Sequence, residues 1–366
     1  MNFSWTLSRY FGSQFLKMTL GAFAVCIVVI FLADFVELLR RTSDKEGISF
    51  FDVMTMTSLR MPSLGAEVLP FAVLIGAMAA LLRLNRSSEL VIARAAGVSA
   101  WQFLAPLLVL AFVIGTFVTT VYNPIAARMI SRFEVMEAKH IKGRASILSL
   151  SQSGLWLGEA NNEGRKVVHA LRGSQTELGI TLQDVIVFQY GPKEEFLGRI
   201  DAEKASLKNG YWLLTNAWIT GIEPPTLFEK AYHLKTTLQP AQVQESFASP
   251  KTISFWDLPR FIETAEKSGF SAIRHRIYWH SLISNPVLFA TMVLIAAAFT
   301  MRASRMGGLN RLIIGAVIAG FLFFFLTKLS LALGNSGSVP PFLAAWAPAG
   351  VALLLGLSAL FYLEDG

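Results

Sequence analysis

LPFAVLIGAMAALLRLNRSSELVIARAAGVS, residues 69–99, decides how the chain is built. A strongly apolar helix runs into a short segment carrying Arg83, Arg86, Glu89 and Arg94. That segment flows at once into a second apolar helix starting near Ala100. Ionised side chains are costly inside hydrocarbon, so the short helix between the two spans lies at a membrane surface. Glu89 is its lone acid, and as a helix charge it could simply be solvated. Leu90, Val91, Ile92 and Ala95 around it argue instead for docking against a partner.

Working outward, apolar tracts recur. The 366 residues are 53% apolar and 16% charged, against about 25% charged in ordinary soluble domains. Residues 95–127, 277–301 and 329–363 contain no Asp, Glu, Lys or Arg. A membrane helix needs about 20 apolar residues, and six spans are expected, near 14–38, 54–82, 99–122, 277–301, 311–334 and 340–363. Arg9 and Lys17, then Arg83, Arg86 and Arg94, then Arg302, Arg305 and Arg311 fall on one side of such a layout. The positive-inside bias makes that side, with both termini, cytoplasmic. The first apolar run has no clear small-x-small cleavage site after it and reads as an uncleaved span. The net charge of +7 belongs to this loop asymmetry and not to nucleic-acid binding.

Residues 123–276 differ in character, and the topology puts them outside. Five strands are expected: GLWLGE (154–159), RKVVHALRG (165–173), DVIVFQY (184–190), YWLLTNAWIT (211–220) and AYHLKTTL (231–238). Asn209-Gly210 is the strongest hairpin signal. Strands this short at this spacing suggest a sandwich or open jelly roll. An amphipathic helix follows near 255–268, with Ser254 as its cap, Leu258, Phe261, Ile262 and Ala265 on one face, and Gly269 closing it. The expected fold is an α-helical membrane protein of six helices with a β-jelly-roll-like domain between helices 3 and 4. Its parts are 1–122 with a surface helix near 85–97, then 123–276, then 277–366.

Catalytic and metal motifs are missing. There is no Gly-rich nucleotide loop and no HExxH. His140, His169, His233, His275 and His280 lack ligand spacing, and His280 reads as an interfacial or bundle-facing residue. Ser336, in GNSGS, reads as a turn. A single cysteine, Cys26, excludes a disulfide framework. No cofactor or metal is implied, so any energy-consuming role borrows a partner's chemistry.

A few charges stand where charges are unwelcome. Arg60 and Glu67 share a helix face in the second apolar stretch. They lie at membrane depth, or else the span begins near Met61-Pro62 and Arg60 sits at the outer interface. Lys328 poses the same choice and can snorkel outward. Arg40 and Arg41 close the first span on the outer side. They form either a salt-bridged rim with Glu37 and Asp44 or, with Arg60 and Arg132, a phosphate-binding surface, since Arg contacts phosphate bidentately.

The chain resembles a known family, the lipopolysaccharide-export permeases of the LptF/LptG type. The resemblance rests first on residues 69–99 with their SEL and AAG elements. DFVELLRR (34–41), SGLW (153–156), LPRFIETAEKSG (258–269) and PPFLAAWAPA (340–349) support it. DFVELLRR and SGLW look more like the G-type subunit. The resemblance implies an ABC-transporter permease of the bacterial inner membrane, not itself an enzyme. Its implied partners are an LptF-type permease, two cytosolic LptB-type ATPase subunits, a single-span LptC-type protein, a periplasmic bridge protein and lipopolysaccharide. Arg86, Glu89, Leu90 and Arg94 would couple to the ATPase. Arg40 and Arg41 fit the family's outer basic residues, which meet lipid A phosphates, while Asp34 is acidic where some relatives carry a base.

Three rivals remain. A permease of another lipid- or lipoprotein-extracting transporter usually has four spans and an outer domain after the first. A membrane enzyme would need acids or histidines clustered at one depth. A receptor would need a cytosolic output domain.

Overall fold

The computed structural model describes residues 5–43, 48–137, 147–151, 154–161, 164–176, 179–192, 195–208, 210–221, 225–236, 238, 249–267, 271–306 and 309–365. The chain divides into two compact units. One comprises Met1–Phe133, Ser254–Trp256 and Arg276–Gly366, the other Glu134–Ile253 and Asp257–His275.

The first unit is helical. Its elements are α1 (Trp5–Thr42), α2 (Phe50–Arg86), the short α3 (Glu89–Ala95) and α4 (Ala100–Phe117). A π-helical turn, Val118–Tyr122, leads from α4 into α5 (Asn123–Glu137). Later in the chain come α7 (Ile273–Met306), α8 (Leu309–Asn335) and α9 (Pro341–Asp365), with α6 (Leu258–Lys267) belonging to the other unit. Among the described residues six helices are long and apolar enough to cross a membrane. Most overrun the expected spans. At 1.5 Å per residue, the 38 residues of α1 reach about 57 Å, well past a hydrocarbon core of about 30 Å. The third span ends later than expected: helix continues through the π turn to Glu137, 15 residues beyond the expected span end at 122.

Local sequence starts these helices. Ser49 accepts from the Asp52 amide while the Asp52 carboxylate accepts from the Ser49 amide, a reciprocal cap that opens α2. Ser99 and Gln102 do the same for α4. Phe11, Phe15, Leu74, Ala77, Leu81, Leu104, Leu107, Phe289 and Val293 fill the core between the helices. Two glycines let backbones meet. A Cβ on Gly76 would lie 2.4 Å from the Thr19 Cα, and one on Gly115 would lie 2.6 Å from the Pro286 Cα.

Prolines inside these helices leave carbonyls four residues back without their usual α-helical donors, and at some of them side chains supply replacements. Pro286 has no N–H for the Leu282 carbonyl, and the Thr119 hydroxyl donates there at 2.8 Å. Pro124 likewise fails the Thr120 carbonyl, and the Trp256 indole N–H donates at 3.0 Å. Asn123 extends the stitching. Its amide nitrogen donates to the Tyr278 hydroxyl at 3.0 Å, and its oxygen accepts from the Phe255 amide at 2.8 Å.

The second unit is built on one antiparallel sheet of seven strands, each hydrogen-bonded to its neighbours in chain order. They are β1 (Ile147–Ser151), β2 (Gly154–Asn161), β3 (Gly164–Thr176), β4 (Gly179–Tyr190), β5 (Phe196–Lys208), β6 (Tyr211–Gly221) and β7 (Leu227–Lys235). The inserted β-domain is thus present, with β1 and β5 added to the five expected strands. Lys208 pairs with Tyr211, so two residues turn the hairpin expected at 209–210. Gly210 takes a φ of +88° there.

A phase slip crosses the middle of the sheet. In β5 the buried residues are Gly198, Ile200, Ala202, Ala205 and Leu207, with Glu203 and Lys204 exposed in succession. The same break falls at Gln183-Asp184 in β4 and at Thr215-Asn216 in β6. The breaks are in register: Gln183 faces Lys204, and Lys204 faces Thr215. Asp184 and Asn216 both take a φ of +54°, in the left-handed region that Asp and Asn tolerate better than most residues. An extra residue bends a strand and raises its twist. Because β4, β5 and β6 slip at one row, the apolar residues on both sides of it share a face, where Leu182, Val185, Leu214 and Trp212 form the core.

The amphipathic helix is α6 (Leu258–Lys267). It starts later than expected. The first helical amide, from Phe261, donates to the Asp257 carbonyl, which puts the start at Asp257 and not Ser254. Leu258, Ile262 and Ala265 are buried, and Phe261 lies against the His275 ring with centroids 4.6 Å apart. The closing Gly269 lies outside the described residues.

Candidate substrate rim and coupling helix

Arg40 and Arg41 occupy the last turn of α1, where the helix dipole favours cations. Glu37 stands three and four residues back and bridges both. Arg40 Nη2 lies 2.8 Å from Oε2, and Arg41 Nε lies 2.7 Å from Oε1. One carboxylate thus bridges two exposed guanidiniums. Asp44, the other expected rim acid, lies outside the described residues.

Arg60 is placed differently. From α2 it reaches α1, where its Nη1 donates to Asp34 Oδ1 at 2.7 Å. Its guanidinium also sits 5.5 Å from the Phe133 ring centroid, a cation–π distance. The Asp34 side chain is 9% exposed and that of Arg60 32%. Among the described residues Asp34 Oδ2 is buried without a hydrogen-bond partner. Asp34 also lies in the field of Arg41 and Glu37, so these five side chains form one electrostatic group. Arg132 is exposed on α5, next to Phe133.

Glu67, seven residues after Arg60, takes a partner on another helix. Lys328 of α8 approaches its carboxylate at 3.7 Å and lies 5.1 Å from the Phe324 ring. Lys328 therefore faces a counter-charge within the helical unit.

On α3, Glu89 is bound within its own chain. Ser87 donates to Glu89 Oε1 at 2.8 Å, and the Tyr10 hydroxyl of α1 donates to it at 3.4 Å. Ser88 turns the chain with a φ of +61° and Gly97 ends the segment at +85°. Leu90 points inward, 8% exposed, and joins the bundle core. The outward apolar side chains are Val91 at 56% and Ile92 at 66% exposed. Arg86 is exposed in the last turn of α2, and Arg94 lies on α3. The face available to a partner is thus Val91 and Ile92, not Leu90. Sequence reasoning noticed both residues but did not choose them, because seven residues hold too few turns for periodicity to pick out the outward face.

A family model described as lipopolysaccharide export system permease LptF/LptG matches residues 9–362. The chain is similar to the lipopolysaccharide export system permease protein LptG of Escherichia coli strain K12, with 23% identity covering 96% of each chain. It is also similar to the LptG of Haemophilus influenzae, with 24% identity over 88% of this chain and 89% of the relative.

Proposed function

The chain belongs to the lipopolysaccharide export system permease LptF/LptG family, and on that premise we propose that it is the G-type half of a permease pair that lifts lipopolysaccharide out of the inner membrane. The family match over nearly the whole chain carries the reading, alongside six apolar helices and an inserted antiparallel sheet. The protein is a multi-pass inner-membrane transporter component of a multi-component export system, not an enzyme. In the proposed arrangement the termini are cytoplasmic and the β-domain is periplasmic. The pair partner is an LptF-type permease. Two LptB-type ATPase subunits drive the pair, one of them docking on α3, an LptC-type protein associates from its single span, and the β-domains pass the lipid to a bridge protein.

Within that machine Arg40 and Arg41, with Arg132 and Arg60 behind them, form an outer basic rim for lipid A phosphates. Acyl chains enter a cavity shared with the partner permease. Arg86, Glu89, Arg94 and the exposed Val91 and Ile92 face the ATPase. The test is purification of the intact complex. The chain should bring down a cytosolic ATPase, a second six-span permease and bound glycolipid. Arg40→Glu with Arg41→Glu should then reduce crosslinking to lipopolysaccharide. A chain that purifies without either protein partner, or unchanged crosslinking in the double variant, overturns the assembly or the rim respectively.

A further inference from the structure

The first two helices carry five charged groups in one neighbourhood. Three are guanidiniums (Arg40, Arg41 and Arg60) and two are carboxylates (Glu37 and Asp34). Among these five described groups, three positive against two negative leave one net positive charge. The two acids act differently. Glu37 is shared between two exposed arginines at the helix end, where solvent screens the pairs and exchange with a ligand anion costs little. Asp34 lies seven residues deeper than Arg41, about 10 Å along the helix axis. It is more than nine-tenths buried and bonded to Arg60 at 2.7 Å.

A phosphate that sought Arg60 would have to displace this carboxylate. The displaced Asp34 would then be a buried, unpaired charge, the most penalised outcome for an ion pair. One of its oxygens already lacks a hydrogen-bond partner among the described residues, so the carboxylate has no second bond to fall back on if Arg60 is taken from it. The Phe133 ring holds the same guanidinium from another side.

We propose that Asp34 is a specificity-determining residue: by holding Arg60 as an internal partner it withdraws that base from the substrate and fits this chain's rim to a glycolipid headgroup bearing one phosphate rather than two. The proposal rests on the rim assigned above and takes one member, Arg60, out of contact with the phosphate. Arg40 and Arg41 meet the phosphate, while Arg60 clamps α1 to α2.

The experiment uses the whole complex in nanodiscs and measures binding of two probes, a bis-phosphorylated and a mono-phosphorylated lipid A. The unaltered complex should bind the two within about threefold of each other, the scale of one screened charge contact. Asp34→Asn frees Arg60 and should tighten binding of the bis-phosphorylated probe about tenfold, the worth of one charge-assisted contact, with little change for the other probe. Asp34→Asn with Arg60→Gln replaces the ion pair by a neutral hydrogen-bonded pair and should bind both probes as the unaltered complex does. The proposal is overturned by tenfold or greater preference for the bis-phosphorylated probe in the unaltered complex. It is equally overturned if the assembled Asp34→Asn complex shows no gain, or if the neutral pair loses affinity for that probe. Should Asp34→Asn fail to assemble, the neutral pair alone still decides. Arg40→Gln with Arg41→Gln separates the two readings: if neither probe loses affinity, the rim itself is wrong.

Discussion

The Thr119 hydroxyl replaces the N–H that Pro286 lacks, so removing it strands the Leu282 carbonyl in a helix bundle. Thr119→Val should destabilise the purified protein by about 1–2 kcal/mol, read as a lower melting midpoint in detergent, while Thr119→Ser should not. Pro286→Ala returns the missing N–H to Leu282. In a double-mutant cycle with Pro286→Ala, Thr119→Val should therefore cost about 1 kcal/mol less. An additive cycle would show that the hydroxyl is not repairing the proline. Trp256→Phe tests the second repair in the same way, through the Thr120 carbonyl left by Pro124. At this scale the sequence was legible only over short separations. Glu37 could be assigned to Arg40 and Arg41 because three- and four-residue spacings are neighbours on any helix. Asp34 could not be assigned to Arg60, nor Glu67 to Lys328, because no pattern along one helix says which face of the next it meets. That pairing is set by packing, including the close approach of Gly76 to Thr19.

Among the elements, α3 offers the clearest outcome. Val91→Asp with Ile92→Asp puts charge on the two outward apolar side chains. Buried anchors of an interface are worth more than 1 kcal/mol each, so the ATPase recovered with the chain should fall about tenfold or more while the permease remains inserted. Glu89→Lys should also weaken that association, with about 2–5 kcal/mol at stake for a partly buried cross-interface pair. Tyr10→Phe is the control, since it removes the bond from α1 to Glu89 and leaves the carboxylate. If Tyr10→Phe lowers ATPase recovery as far as Glu89→Lys, the acid acts by positioning α3 and not by meeting a partner. The helical spans were legible because long apolar tracts with few charges announce themselves. Their ends were not, since charged residues such as Arg83 and Arg86 continue a helix as readily as they stop it. Strand β5 was missed for a definite reason. FLGRIDAEKASLK contains both halves of an alternating pattern, but the slip at Glu203-Lys204 sets them out of phase, and a search for strict alternation scores each half against the other.

For the whole molecule, the proposed topology makes a direct prediction. In a Cys26→Ser background, a cysteine at position 209 should react with an impermeant thiol reagent in intact spheroplasts, and one at position 310 should react only after lysis. Labelling at 310 from outside would invert the arrangement. The order of parts, three spans, an inserted β-domain and three spans, was readable from long apolar tracts with few charges. What those tracts did not disclose is that the inserted sheet is creased along one row, at Asp184, Glu203 and Asn216. That row constrains how the chain can change length. Deleting Glu203 alone would rejoin two halves of β5 in strict alternation and turn one half's apolar side chains outward, while β4 and β6 kept their slip. Neighbouring strands can lose or gain this residue only together. Single-residue deletions at 184, 203 or 216 should therefore be far less tolerated than deletions in the connections between strands, and a library of deletions scored for folded protein would show a line of intolerance running across the sheet.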